Sequence, residues 1–244
     1  MIGSQIFRVE SVGSTNTLAA EIGVDPNSHG SIVIADEQTA GRGQYGRSWL
    51  SRPGDSLLMS VVVHPPVELR RPVILVAWAA VALGDAILSL TGIQARIKWP
   101  NDLLIRGKKV SGILTEATNA AVVLGMGLNL NQTMEDFERA GLPDATSLKL
   151  AADKPFDRDE VLAVVVSHLD REWNRLLVGE FVPVEADWKW RIGLLGRPVI
   201  AERHDGTSVS GRLMDMSFVG IEIATDHGAI EVLTPETVKQ LRGL

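Results

Sequence analysis

The segment GRGQYGRSW, residues 41–49, constrains the fold more than any other stretch of the chain. Gly41, Gly43 and Gly46 satisfy a G-x-G-x-x-G pattern, and Gly41, Gly46, Arg47 and Ser48 nearly complete a P-loop, with arginine where lysine belongs. Both patterns need a helix directly after the loop, because the helix N-terminus completes the anion site. Here the loop runs into WLSRPGDSLLMSVVV, a turn and then an apolar, β-branched run of strand character. Context therefore rules out both the dinucleotide and the P-loop readings. A kinase-type glycine loop does lie between strands, but neither H-R-D nor D-F-G occurs. What remains is physical: closely spaced glycines let backbone N–H groups approach an anion, and Arg42 and Arg47 add charge of the right sign. Glycines alone fit a solvated surface loop equally well, so the neighbouring segments decide.

SIVIADE, from Ser31, reads as a strand, and SLLMSVVVH, from Ser56, as a buried one. Ser14 is placed to cap a short helix through residues 17–22, ended by Gly23. Pro72 suits the first turn of a long helix reaching about Leu90. A meander follows, with strand-like residues 93–99, 103–106, 110–117 and 121–130. Pro100-Asn101-Asp102 and Gly107-Lys108-Lys109 supply tight turns of the kind that join antiparallel strands. Asp157, with Glu160 three residues on, has capping-box spacing. Behind it Val161, Val164, Val165, Leu169, Trp173 and Leu176 recur at helical period. A shorter helix covers residues 185–191. Beyond Leu195 the texture changes to four short strands, 197–200, 208–216, 220–224 and 228–232. The pattern predicts an α+β fold: residues 1–194 form a domain with a mixed or antiparallel sheet and helices, and residues 195–244 a small β-barrel.

At 244 residues, 45% hydrophobic and 22% charged, the chain can bury a sizeable core, which argues against disorder. A net charge of −6 without a basic block argues against nucleic-acid binding, and no DNA-reading module precedes the first strand at residues 6–10. The absence of cysteine removes thiol nucleophiles, disulfides and cysteine metal sites together, and suits a reducing cytoplasm. MIGSQIFRVE lacks the basic and apolar regions of a signal peptide. The longest apolar run, residues 73–83, is too short to span a bilayer and reads as a core helix, so no membrane partner is expected. The five histidines show no metal-ligand spacing, and no G-x-S-x-G occurs.

Several polar positions are candidates for chemistry. IKWPNDLL places Lys98 on a strand before a proline turn, a point charge suited to a phosphate oxyanion. Asn101 and Asp102 can hold that turn, or bind ribose, adenine or magnesium. Lys109, Ser111 and Gly112 come one hairpin later; Gly112 inside a strand marks either a bulge or close approach of a ligand. Ser14, Thr15 and Asn16 open a helix, and Gln38 can donate and accept together, as an amide- or urea-like ligand requires. GMGLNL ends its strand with Asn129.

Four segments in order resemble the biotin–protein ligase family: STN at Ser14, EQTAGRGQYGRSW from Glu37, KWPNDLL from Lys98, and KVSGILTE from Lys109 running on to GMGLNL. The resemblance covers nearly the whole chain. It implies a class II synthetase-like α+β catalytic domain with an SH3-like C-terminal barrel, and a reaction in which biotin is activated by ATP to biotinyl-adenylate and transferred to a lysine of a biotin carboxyl carrier protein. On this resemblance Lys98 and Arg42 are the catalytic cations. Ser14, Thr15, Asn16, Gln38, Arg42, Gly43, Gln44, Lys98 and Gly112 bind biotin, and Gly41, Arg42, Arg47, Trp49, Lys98, Asn101 and Asn129 lie at the nucleotide. Magnesium screens the phosphates of ATP without a protein cage of its own. The glycine loop is expected to be mobile until it closes over the ligand. The partners are the carrier and the two small substrates, without DNA. The sequence does not set the oligomeric state, and a homodimer is left open. Many family members carry arginine at the fourth loop position, where this chain has Gln44, which bears on how firmly the adenylate is held. The nearest rival is a lipoate or octanoate transferring enzyme of the same superfamily, and the rival from another class is a non-catalytic biotin sensor; KWPND and the retained cations favour the ligase.

Overall fold

The computed structural model describes residues 1–244. Seven strands form one mixed sheet: β1 (Ile6–Val12), β2 (Ile32–Gln38), β3 (Ser56–Val63), β4 (Arg96–Lys98), β5 (Asp102–Ile105), β6 (Lys108–Ala117) and β7 (Val122–Asn129), in the order β1-β2-β3-β7-β6-β5-β4. Strands β1 and β2 run parallel, and the other neighbours pair antiparallel. A parallel pair needs a crossover; α1 (Thr15–Ile22) supplies it and packs on one face against β2, β3 and β7. The opposite face is covered by α2 (Pro72–Thr91) and α5 (Arg158–Leu177), with α6 (Phe181–Ile192) beside α2 and β4.

Strand alternation then sorts side chains between the two faces. All eight residues of β3 are buried: Leu57, Met59, Val61 and Val63 join the main core under α2, whereas Val62 packs with Ala19 of α1. Helix α2 is long and apolar enough to cross a membrane, but here most of it is buried inside the protein. Trp78 of α2 lies 4.9 Å from Trp173 of α5 and donates Nε1–H to the Leu169 carbonyl at 3.0 Å. Each fully buried large side chain of this layer, such as Leu75, Leu83 or Ile87, contributes about 1.5–3 kcal/mol of transfer free energy. The face of α5 expected to be apolar is the buried one, and Asp157 caps the helix by accepting from the amides of Asp159 and Glu160.

Several elements differ from expectation. Helix α6 starts at Phe181, four residues before position 185. Two short helices, α3 (Met134–Arg139) and α4 (Leu148–Ala152), join β7 to α5; they are too brief to show a period, although Thr133 and Asp136 form a reciprocal capping box on α3. The C-terminal unit has five strands rather than four: β8 (Pro198–Arg203), β9 (Ser208–Met216), β10 (Ile221–Ala224), β11 (Ile230–Leu233) and β12 (Val238–Gly243), in the order β11-β10-β9-β8-β12. The extra strand pairs with β8 and not with β11, so both β11 and β12 are edges. The C-terminal strands of the expected small β-barrel thus form an open antiparallel sheet. Its inner residues, among them Val199, Leu213, Ile223 and Leu241, belong to the same core cluster as α2 and α6. Trp99 Nε1–H donates to the Val238 carbonyl at 2.9 Å, and Arg71 pairs with Glu236 at 2.7 Å.

Candidate active site

One row of residues crosses five strands on the face that carries α1. Leu58 lies opposite Gly127, Gly127 opposite Gly112, Gly112 opposite Asp102, and Asp102 opposite Lys98. Cross-strand partners share a face, so the row is lined up along one surface. The next row runs Ser60, Gly125, Leu114. Glycines make this surface concave. A Cβ on Gly125 would fall on the Asn16 amide, and one on Gly127 inside the Trp49 indole. The result is a cleft between the sheet, the start of α1 and the glycine loop.

The floor of the cleft is neutral and polar. Ser14 holds the N-cap position of α1, but its hydroxyl makes no capping bond, contrary to expectation. Gln38 takes that role from the neighbouring strand: its Oε1 accepts from the Thr15 amide at 2.8 Å and lies 3.1 Å from the Thr15 hydroxyl. Buried Ser14 therefore faces the cleft with its hydroxyl unspent. Ser60 Oγ lies 2.7 Å from Thr15 Oγ1 and donates to Asn16 Oδ1 at 2.6 Å. Hydroxyls and amides so arranged suit a compact neutral ligand that both donates and accepts, because each buried polar atom left unpaired would cost about 1–3 kcal/mol.

Above the floor the loop folds back on itself: Trp49 N–H donates to the Gly41 carbonyl at 3.0 Å, and Gly43 N–H to the Arg47 carbonyl at 2.7 Å. The Trp49 indole lies over Gly112 and Gly127, with Nε1 buried and unpaired. Tyr45 at the loop tip adopts φ 57°, unusual for a non-glycine residue, and its ring lies 6.2 Å from that of His204 in the turn between β8 and β9. Arg42 turns to the sheet, where Nη2 pairs with Glu116 at 2.8 Å and Nη1 donates to Thr17 Oγ1 at 3.1 Å.

Two cations line the cleft, Arg42 and Lys109. The β5–β6 ladder shifts register between Leu103 and Leu104, leaving Val110 as an extra residue, and this bulge brings Lys109 to the face of Gly112. A Cβ on Gly112 would lie 3.1 Å from Lys109 Nζ. That ammonium is fixed by Asp102 at 2.6 Å and sits 5.7 Å from the centre of the Trp49 ring. Lys98 shares the face but sits on the edge strand β4, exposed and outside the cleft lining, two strands or about 10 Å from Gly112.

Of the expected residues, Ser14, Thr15, Asn16, Gln38, Arg42, Gly43, Gln44, Trp49, Asn101 and Gly112 line the cleft together. Gly41, Arg47, Lys98 and Asn129 do not. Gly41 shapes the loop's base, where a Cβ would lie 2.6 Å from the Trp49 carbonyl. Asn129 is tied to the Thr146 carbonyl at 2.9 Å and braces the connection that follows β7. Asn101 reaches the cleft, but its amide is spent on the Ile113 carbonyl. Ser60 and Glu116 were not expected; Lys109 and the G-M-G of Gly125 and Gly127 were noted in the sequence without a binding role. The two glycines of G-M-G two residues apart in a strand were a legible signal, since only inward positions alternate so.

The biotin/lipoate A/B protein ligase family matches residues 9–131. The bifunctional ligase/repressor BirA of Bacillus spizizenii is 32% identical over 248 residues, covering 99% of this chain and 73% of that protein. The biotin–[acetyl-CoA-carboxylase] ligase of Mycobacterium tuberculosis is 32% identical over 252 residues, covering 98% of this chain and 90% of that one. Among solved structures, a biotin protein ligase from Aquifex aeolicus in complex with biotin and ATP has a TM-score of 0.83 at 28% identity, covering 99% of this chain and 100% of that one. With the family matched over half its length and relatives aligned nearly end to end, the chain belongs to the biotin/lipoate A/B protein ligase family.

Proposed function

We propose that this protein is an ATP-dependent biotin–protein ligase whose neutral floor takes the biotin ring and whose cationic mouth takes the acyl and phosphate groups. The observation that carries it is the gradient along one cleft, from the Ser14, Thr15 and Gln38 hydrogen-bonding set to Lys109 under the glycine loop. A ureido ring is neutral, donates and accepts, and fits the first end. A carboxylate approaching the α-phosphate of ATP is anion attacking anion, and fits the second. A carboxylate oxygen bonds to the α-phosphorus, the bond to pyrophosphate breaks, and biotinyl-adenylate forms. The neutral amine of a carrier lysine then attacks the acyl carbon, AMP leaves, and the amine's surplus proton passes to solvent.

In this reading Lys109 neutralises the developing charge at the carboxylate and α-phosphate, while Lys98, on the rim, and Arg47 serve the outgoing pyrophosphate. Trp49 offers a flat apolar surface for a ring. Magnesium arrives on the phosphates of ATP; no cluster of three carboxylates or histidines is present to hold it separately. The carrier is the biotin-accepting domain of a carboxylase, and the reaction belongs to the cytoplasm. The open C-terminal sheet is SH3-like in this view, and its contact with Tyr45 supports a role beside the loop.

The test is to incubate the protein with ATP and magnesium plus biotin, lipoate or octanoate separately, following the acyl-adenylate by mass spectrometry and pyrophosphate by assay. Biotinyl-adenylate alone is the expected product. An adenylate from lipoate or octanoate instead would move the protein to the other branch of the family.

A further inference from the structure

Glu116 of β6 joins two parts of the site that otherwise have no charged link. Its Oε2 accepts from Asn16 Nδ2 at 2.7 Å and pairs with Arg42 Nη2 at 2.8 Å. Asn16 belongs to the cleft floor, where Ser60 donates to its Oδ1 at 2.6 Å and Ser60 itself touches Thr15. Arg42 belongs to the stem of the glycine loop, with Thr17 as its second partner at 3.1 Å. An unbroken run of polar contacts therefore leads from Gln38 through Thr15, Ser60, Asn16 and Glu116 to Arg42.

We propose that Glu116 is a positioning residue: it anchors the stem of the glycine loop through Arg42 and fastens that stem to the floor through Asn16. The proposal rests on the ligase reading for its consequence, which is retention of the adenylate under the loop. It also reassigns Arg42. Held by Glu116 and Thr17, the Arg42 side chain acts as the loop's anchor, much as Asp102 holds Lys109 in the cleft. Arg42 and Glu116 are 45% and 38% exposed in their side chains. An ion pair so open to water biases an equilibrium by about fivefold at most, so the pair tunes loop closure and does not by itself create the site.

The experiment compares wild type with Glu116→Gln, Arg42→Gln, the double variant and Glu116→Asp. Three quantities are read: amide exchange of residues 41–49 without ligand, release of biotinyl-adenylate into solution, and kcat and KM for pyrophosphate formation. Each single Gln variant should speed loop exchange and adenylate release by about threefold to fivefold, and lower kcat by the same modest factor. The double variant should be no worse than either single one, and Glu116→Asp should recover part of the loss. Unchanged loop exchange in Glu116→Gln would overturn the anchor. So would a loss of kcat beyond tenfold in Arg42→Gln that Glu116→Gln does not share, because Arg42 would then be serving the phosphates directly. The exchange measurement needs no biotin chemistry: if wild type made no biotinyl-adenylate, the ligase reading would fall while the loop data still decided the anchor.

Discussion

At the scale of single residues, the two lysines carry the sharpest lesson. The sequence offers Lys98 and, one hairpin later, Lys109, and the more specific motif favours Lys98; the cleft lining holds Lys109. What places Lys109 in the cleft is a bulge: in a regular ladder through Val110, strand parity would turn Lys109, three residues before Gly112, to the other face. No residue type marks that bulge, so the placement of Lys109 in the cleft was not legible. Removing a charge preorganised at the reacting atoms typically costs about 100-fold or more in kcat, so Lys109→Ala should lose at least that in biotin-dependent pyrophosphate release. Lys98→Ala should instead raise KM for ATP with a much smaller change in kcat. The reverse ranking in steady-state kinetics would restore Lys98 to the centre. Gln44, also in the cleft lining, gives a second prediction. Gln44→Arg adds a charged donor to the cleft lining and, on the proposed function, should slow release of bound biotinyl-adenylate by about tenfold, the worth of one charge-assisted hydrogen bond.

At the scale of elements, strands and long helices were readable because burial imposes a period. Strand β3, helix α2 and the apolar face of α5 all lie where the pattern put them. Helices α3 and α4 were missed because one turn and a half has no period to detect. Strand β12 was missed because Lys239, Gln240 and Arg242 dilute its alternation, leaving Val238 and Leu241 as its buried residues. The glycine-bearing strands β6 and β7 test how far an element can be reshaped without unfolding. A methyl group on Gly127 would meet the Trp49 side chain, which can swing away, and not backbone. Gly127→Ala should therefore keep the sheet and its thermal midpoint within a few degrees while weakening nucleotide binding about tenfold or more, because the indole loses its seat. Isothermal titration with ATP beside a melting curve checks both halves; a collapsed midpoint would mean that the glycine serves packing and not the site.

At the scale of the whole molecule, the sheet separates chemistry from stability. The cleft occupies the face of α1, while the opposite face is sealed by α2 and α5. Two histidines belong to that sealed side. His29 lies 5.4 Å from Trp173 of α5, and its Nδ1 accepts from the His64 amide at 3.1 Å; His168, on α5, touches Ser89 of α2 at 3.2 Å. Burial pushes both below the usual value of 6.5, helped by the N-terminal ammonium and His64 at His29, and by Arg171 at His168, against the opposing pull of Asp170 at the first and of Asp85 and Glu172 at the second. A base depressed in the folded state binds fewer protons there than in the unfolded chain, so its stabilising effect is complete above about pH 6.5 and is lost as pH falls below it. Thermal midpoints should thus decline between pH 7 and pH 5, and the double variant His29→Gln with His168→Gln should flatten that decline. An unchanged slope would place the acid sensitivity in the carboxylates. Because neither histidine lies in the cleft lining, the ordering of events should also be visible: at pH 5.5 the packing of α5, followed through Trp173 fluorescence, should loosen at a lower temperature than at pH 7.5, while adenylate formation in the protein that remains folded keeps its dependence on Lys109.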